Sequence, residues 1–402
     1  MRTRAVLGGL VIAAACAGVA AVFARKVLTP APLPDRGVRV VDLDTAGSAG
    51  VQRVWLSGPD TDLDGSYSFI FDVTSRLTQE HAGHARLGPV VARRRVGSQS
   101  HVAREVISVD RGSLVPGVRG RITGWWYTDP AELGYPFRKV ALPLPDGVGW
   151  AWRIEPATDS VQTDASDSRP WAIHVHGRGA LPEETLRGVP PFAEAGYTNL
   201  VMSYRNDPGV PSGRNGRYGL GLAEWQDVDA AIGWARAQGA TSVVLVGWSM
   251  GGTIAVLAAS RGTHAELVSG LVLDSPALDW PGLLRAQAKL AHLPPVIGDL
   301  GRLILSAGLV RGAIPGERAT PISHLTPRVL AHATQVPTLI HASAGDTFVP
   351  WQGALDFAKA RPRTVRLHPS RGEHVKLWNV DPAGWRDETA HFLEEIERTR
   401  SV

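Results

Sequence analysis

The chain has 402 residues, 44% of them hydrophobic and 20% charged, with a formal net charge of +4. This is globular composition, long enough for one large domain and an accessory one, and its scattered lysines and arginines give no nucleic-acid surface. The single cysteine, Cys16, excludes a disulfide framework, a cysteine metal site and a cysteine nucleophile in the soluble part.

Ala5 to Ala24 carries no charge and is flanked by Arg2 and Arg4 before it and by Arg25 and Lys26 after it. A run of about 20 apolar residues matches the hydrocarbon core of a bilayer. Residues 1–27 therefore read as an N-terminal membrane anchor or signal segment, with an uncleaved single-pass anchor preferred. The rival is a cleaved signal peptide, because "VFA" at Val22 to Ala24 offers small residues to a peptidase. A lipoprotein cut before Cys16 fits less well, since the apolar run continues past it. The positive flanks are nearly balanced and do not set the side. The short basic N-terminus resembles a signal anchor, which puts a catalytic domain outside the cytoplasm.

Residues 28–135 open with the proline-rich linker "LTPAPLPDRG". From about residue 37 to 130, short β-like runs follow: "VRVVDL", "VQRVWL", "YSFIF", "VAREVISV" and "GRITGWW". This is a strand-rich accessory region without a catalytic constellation. Arg93-Arg94-Arg95 reads as solvated surface, with anionic headgroups the minority reading. His81 and His84 form an HxxH pair with no helical pattern and no clear third ligand, so the preferred reading is a surface loop.

Residues 136–402 have a different rhythm. "RKVALPLP" and "GWAWRIEP" predict a hairpin around "DG". Apolar runs then alternate with helical stretches: "WAIHVHG", "TNLVMSYR", "SVVLVGWS", "GLVLDSPA", "TLIHASAGD" and "TVRLHPS". Buried strands alternating with helices predict an α/β fold with a mostly parallel sheet flanked by helices. Residues 278–333 interrupt the alternation with helical pieces, readable as a lid over the sheet's C-terminal edge or as padding beside it.

Gly247-Trp248-Ser249-Met250-Gly251 follows one of these strands and precedes a helix. The five-residue pattern is cheap alone; its context is that of a nucleophile elbow. A sharp strand-to-helix turn strains the serine backbone, and side chains at 247 and 251 would clash there. The turn also aims the Met250 N–H and the helix N-terminus at a developing oxyanion. A serine hydroxyl needs a base. Asp346 follows a later strand and His374 lies in a loop beyond the last one, in the chain order this geometry requires. His374 would take the Ser249 proton, and Asp346 would orient the imidazole. Asp274 is a competing acid, His368 a competing base, and Glu373 points elsewhere. The second oxyanion donor falls in "HVHGRG": the Arg178 N–H, with Gly179 as the alternative. His174 and His176 alternate on a strand and so suggest metal, but no further ligands follow closely.

With "HGRG", "AGYTNLVMSYRND", "EWQDVDAAIGWA" and "GWSMGG", the chain resembles the α/β-hydrolase superfamily over about residues 136–396, specifically its esterase, thioesterase and peptidase-like branch, including the Bem46-like hydrolases. The resemblance implies the α/β-hydrolase fold with a helical lid insertion, a triad of Ser249, Asp346 and His374, oxyanion donors at Met250 and Arg178, and no metal or organic cofactor. It does not cover the strand-rich region. Arg178 departs from the pattern as a bulky charge beside the oxyanion loop; either it binds an anionic substrate group or it faces solvent. The expected activity is hydrolysis of a carboxylic ester, with an apolar, lipid-like or thioester acyl group, through an acyl-enzyme on Ser249. The alternatives are a peptidase or amidase of the same fold, or a non-catalytic binding protein on a hydrolase scaffold. The expected partners are a small-molecule or lipid-like ester and, through the N-terminal segment, the membrane, with no nucleic acid.

Overall fold

The computed structural model describes residues 16, 18–30, 36–45, 51–72, 82–157, 168–213, 216–306 and 322–400. Six strands form a closed barrel: β1 (Val38–Thr45), β2 (Val51–Ser57), β3 (Tyr67–Phe71), β4 (Gly83–Val96), β5 (Gln99–Arg111) and β6 (Arg119–Thr123). Their order is β1-β2-β5-β4-β3-β6, and β6 pairs back onto β1 to remove the sheet edges. Val40, Val54, Leu56, Tyr67, Phe69 and Phe71 fill the interior.

The second sheet contains β7 (Phe137–Leu144), β8 (Gly147–Ile154), β9 (Arg169–Val175), β10 (Thr198–Met202), β11 (Ala240–Trp248), β12 (Val268–Asp274), β13 (Thr338–Ala342) and β14 (Val365–Pro369). Its order is β14-β13-β12-β11-β9-β10-β8-β7. The strands from β9 to β14 run parallel, while the β7–β8 hairpin pairs antiparallel with β10. The hairpin turns at Pro145-Asp146, and Gly147, the first residue of β8, sits at φ 143°, open to glycine and strained for other residues.

The helices are α1 (residues 18–28), α2 (Pro190–Glu194), α3 (Trp225–Ala237), α4 (Met250–Arg261), α5 (Trp280–Leu290), α6 (Pro295–Ser306), α7 (Pro327–Ala333), α8 (Gln352–Ala360), α9 (Leu377–Val380) and α10 (Pro382–Arg400). Central strand β11 shows why the sheet needs helices on both faces. Val243 and Leu245 join the core made with α3, α4 and α8, while Val244 and Val246 join Trp385, Phe392 and Ile396 of α10. The two-residue period of a strand divides one continuous apolar run between two cores.

Two expectations are corrected. Among the described residues no helix is long and apolar enough to cross a membrane. The described end of the apolar run is α1, which is docked on protein: Ala20, Ala24 and Leu28 are buried, and Ala24 and Leu28 belong to the same core as the sheet. Their four-residue spacing puts them on one helix face, and the two small alanines allow close approach. Residues 5–15 of the run lie outside the described residues. The single-pass anchor, the membrane localisation with an extracytoplasmic domain and the membrane as a partner are therefore withdrawn. The second correction is His84. It is buried within β4, with Nε2 2.8 Å from Ser68 Oγ and Nδ1 2.8 Å from Asp110 Oδ2, and is not on a surface loop. His81 lies outside the described residues.

Candidate active site

β11 delivers its last residue into a turn that L-amino acids rarely adopt. Ser249 has φ 53° and ψ −115°. The glycines around it permit that turn. A Cβ at 247 would come within 2.5 Å of the Gly251 carbonyl oxygen, and one at 251 within 2.1 Å of the Val175 oxygen. The strain is held by backbone bonds on both sides: the Ser249 N–H donates to Asp274 O at 2.9 Å, and Ser249 O accepts from Ala277 N at 3.0 Å.

Ser249 Oγ lies 2.9 Å from His374 Nε2, and His374 Nδ1 lies 2.8 Å from Asp346 Oδ2. The carboxylate can only accept, so Nδ1 carries the proton and Nε2 accepts from the serine hydroxyl. Asp346 is itself fixed, its Oδ1 taking the Phe348 and Val349 N–H groups at 2.9 and 2.8 Å. The Phe348 ring stacks on the imidazole at 5.0 Å.

The competing groups are engaged elsewhere. Asp274 is fully buried beneath the site and accepts from Trp385 Nε1 and Ser275 Oγ, both at 2.9 Å. Burial pushes its pKa up to about 6, against the pull of Arg187 and these hydrogen bonds. His368 lies 3.8 Å from Glu388 at the edge strand. Glu373 accepts the Thr347 N–H and hydroxyl. His174 pairs with Asn199 Oδ1 at 2.9 Å, and His176 with Asp207 Oδ2 at 2.8 Å while stacking on Tyr204.

In the glycine-rich loop, a Cβ on Gly177 would sit 3.0 Å from Ser249 Cβ. The Gly177 N–H is taken by Glu184 Oε2 at 2.8 Å, and the Gly179 N–H by the Tyr218 hydroxyl at 3.0 Å. No partner among the described residues takes the Arg178 or Met250 N–H. Of the loop's two candidates, the Gly179 N–H is thus occupied and the Arg178 N–H is not.

A cavity of about 1330 Å³ opens beside Ser249 and His374. Its wall includes α1 through Val19, Val22 and Phe23; the end of β6 through Ile122 and Trp125; the glycine-rich loop; α5 through Trp280, Leu283 and Leu284; and the loops that carry Phe348 and Lys376. The interval at 278–333, of which 307–321 lie outside the described residues, therefore contributes α5 to the wall.

Sequence reading missed the braces behind His374. Val375 sits at φ 49°, a strained setting for a β-branched residue. Its N–H donates to Ser275 Oγ at 3.1 Å, and its carbonyl accepts from Arg187 Nη2 at 2.7 Å. Arg187 is fully buried over the Trp248 ring and also donates to Asn379 Oδ1, at 2.7 Å, and to Gly124 O at the end of β6. Lys376 reaches Asp60 of the barrel at 2.6 Å. Residues so distant in sequence carry no local pattern, although Ser275 stands where a strand meets a turn.

Residues 173–300 match a family model described as alpha/beta hydrolase fold, within a sheet of the order and connections given above. Over these residues the chain has the α/β-hydrolase fold. The matches do not single out the Bem46-like branch. Structures similar to this chain include the Pyrococcus furiosus esterase Pf2001, 19% identical over 67% of this chain and 94% of that one, with a TM-score of 0.50. Est1E from Butyrivibrio proteoclasticus, with ferulic acid bound, is 17% identical over 64% and 99%, with a TM-score of 0.48. Thermogutta terrifontis esterase 2, phosphoramylated by tabun, is 20% identical over 65% and 94%, with a TM-score of 0.46. At such identities the likeness is one of fold. The barrel residues 39–123 match a model described as a domain of unknown function (DUF8805). The search of curated proteins finds no match.

Proposed function

We propose that this α/β-hydrolase cleaves carboxylic esters through an acyl-enzyme on Ser249. The observation that carries the reading is the unbroken hydrogen-bonded line from Ser249 Oγ through His374 to Asp346 at the edge of a large, mainly apolar cavity.

Ser249 Oγ attacks the ester carbonyl carbon while His374 Nε2 takes its proton. The carbonyl oxygen becomes an oxyanion and accepts from the Met250 and Arg178 N–H groups. Collapse expels the alcohol, which leaves with the proton from Nε2. Water then attacks the acyl-serine and gives its proton to His374, which passes it to Ser249 Oγ as the acid departs and the resting state returns. Asp346 keeps the imidazole oriented and stabilises its charged form throughout. An apolar acyl preference rests on the Leu283, Leu284, Ile122 and Val22 side chains of the wall; with the anchor withdrawn, nothing ties it to a lipid.

A fluorophosphonate probe should label the wild type and not Ser249→Ala. Turnover of p-nitrophenyl esters of increasing chain length should then exceed that of matched peptide anilides. Folded wild type that takes no label would overturn the hydrolase reading, and a preference for the anilides would replace the ester by an amide.

A further inference from the structure

Ester cleavage does not by itself require the charge in this cavity. The wall holds five cationic side chains, Arg25, Lys26, Arg121, Arg178 and Lys376, and three carboxylates. Each carboxylate is already engaged. Asp60 takes Lys376 Nζ at 2.6 Å, Glu184 takes the Gly177 N–H at 2.8 Å, and Glu373 takes the Thr347 N–H and hydroxyl at 3.0 and 2.8 Å.

Among the described residues Arg178 has no carboxylate partner, and its guanidinium makes one long bond, 3.4 Å from Nη1 to Val27 O. Arg25 and Lys26, which also lack a carboxylate partner among the described residues, are exposed, and what sets Arg178 apart from them is its burial. Burial pulls its pKa down, and the groups working the other way are only the Tyr218 and Tyr204 phenols. A guanidinium carries five N–H donors in a planar fork. Partly desolvated and facing the cavity, it gains most from an anion that accepts two of them side by side. Its position joins this to the chemistry, because its neighbour Gly177 lies against Ser249.

Resting on the ester-hydrolase reading, we infer that Arg178 is the subsite for a second, carboxylate group of the substrate: the protein acts on acidic esters, with the acid held by the guanidinium while Ser249 attacks the ester carbonyl. The backbone N–H of the same residue would serve the oxyanion, so one loop position reads the substrate's charge and stabilises its transition state. The competing role for the side chain is purely architectural, to hold the C-terminal carbonyls of α1.

The test compares full-length wild type, Arg178→Gln and Arg178→Lys on two matched pairs. Mono-p-nitrophenyl glutarate against p-nitrophenyl pentanoate puts the acid on the acyl side. p-Butanoyloxybenzoate against its methyl ester puts it on the alcohol side. In one pair, the wild type should favour the acidic ester in kcat/KM, and the preference should shrink as salt is raised. Arg178→Gln should cut that ratio by about tenfold or more, with Arg178→Lys between, as expected for a hydrogen bond to a charged group. A wild-type ratio at or below one in both pairs overturns the proposal even if the variants fail to fold. An unchanged ratio in folded Arg178→Gln overturns it too and leaves Arg178 as a clasp for α1. No turnover of either neutral ester, together with no fluorophosphonate labelling, would instead sink the hydrolase reading.

Discussion

Ser66 and Asn379 hold each other by two hydrogen bonds: the Ser66 N–H donates to Asn379 O at 3.0 Å, and Asn379 Nδ2 donates to Ser66 O at 2.9 Å. Ser66 precedes barrel strand β3, and Asn379 follows His374 by five residues. The barrel is thereby fastened to the loop that carries the candidate base. Asn379→Ala would remove the side-chain half of this clasp and strip Arg187 of a buried acceptor. It should cost about 2–3 kcal/mol, read as a lower denaturant midpoint, with ester turnover falling as well. Asp60→Asn, which removes a half-exposed ion pair with Lys376, should cost less than about 1 kcal/mol. Equal costs would mean that the clasp is not what holds the loop.

Ser275→Ala tests the brace behind the imidazole. It leaves the Val375 N–H without its acceptor and Asp274 without one of its donors. The expected result is a loss of about tenfold in kcat, equivalent to ~1.4 kcal/mol, with KM little changed. A rise in KM alone would show that Ser275 shapes the pocket and not the histidine loop.

Gly251→Ala should be far worse than an ordinary helix substitution. Its Cβ would meet the Val175 oxygen at 2.1 Å, and backbone does not yield as a side chain does. A stability loss of about 1–3 kcal/mol should accompany loss of fluorophosphonate labelling at Ser249. Wild-type labelling by this variant would mean that the elbow tolerates a shift of the glycine-rich loop.

Acid should destabilise the fold. Burial holds the pKa of His174 down at about 4 and that of His341 at about 3, from the usual 6.5. Their contribution is full above 6.5 and is lost as pH falls through the folded values. Asp274 runs the other way: raised from 3.8 to about 6, its contribution is full below 3.8 and is lost as pH rises through 6. Two histidines outweigh one carboxyl, so the urea midpoint should drop between about pH 7 and about pH 5, and His341→Gln should flatten the drop. A midpoint that rises on acidification would contradict the assignment.

Much of the architecture is legible locally. β9 to β13 announce themselves as apolar runs because both sheet faces are buried, and the glycines at 247 and 251 stand where backbone crowds. Ser249, Asp346 and His374 each follow a strand or its loop, which is why their positions can be read in chain order. β4 is hidden because Gly88-Pro89 interrupts the alternation, where the register slips between Leu87 and Val90. Arg187 and Asn379 meet across 192 positions, beyond any local pattern. The misreading of α1 has a different cause. An uncharged run of about 20 residues satisfies lipid and protein interior alike, and only the partner surface against Ala20 and Ala24 separates them.

That surface bears on how the protein is to be handled at the bench. Leu28 O accepts the Tyr218 N–H at 2.8 Å, and the Tyr218 hydroxyl in turn receives the Gly179 N–H at 3.0 Å, so a short relay runs from α1 to the loop beside Ser249. A recombinant version begun at residue 30 would leave Tyr218 without its anchor and uncover core side chains. Substrate preferences measured on such a shortened protein would describe a different doorway from the one that α1 walls.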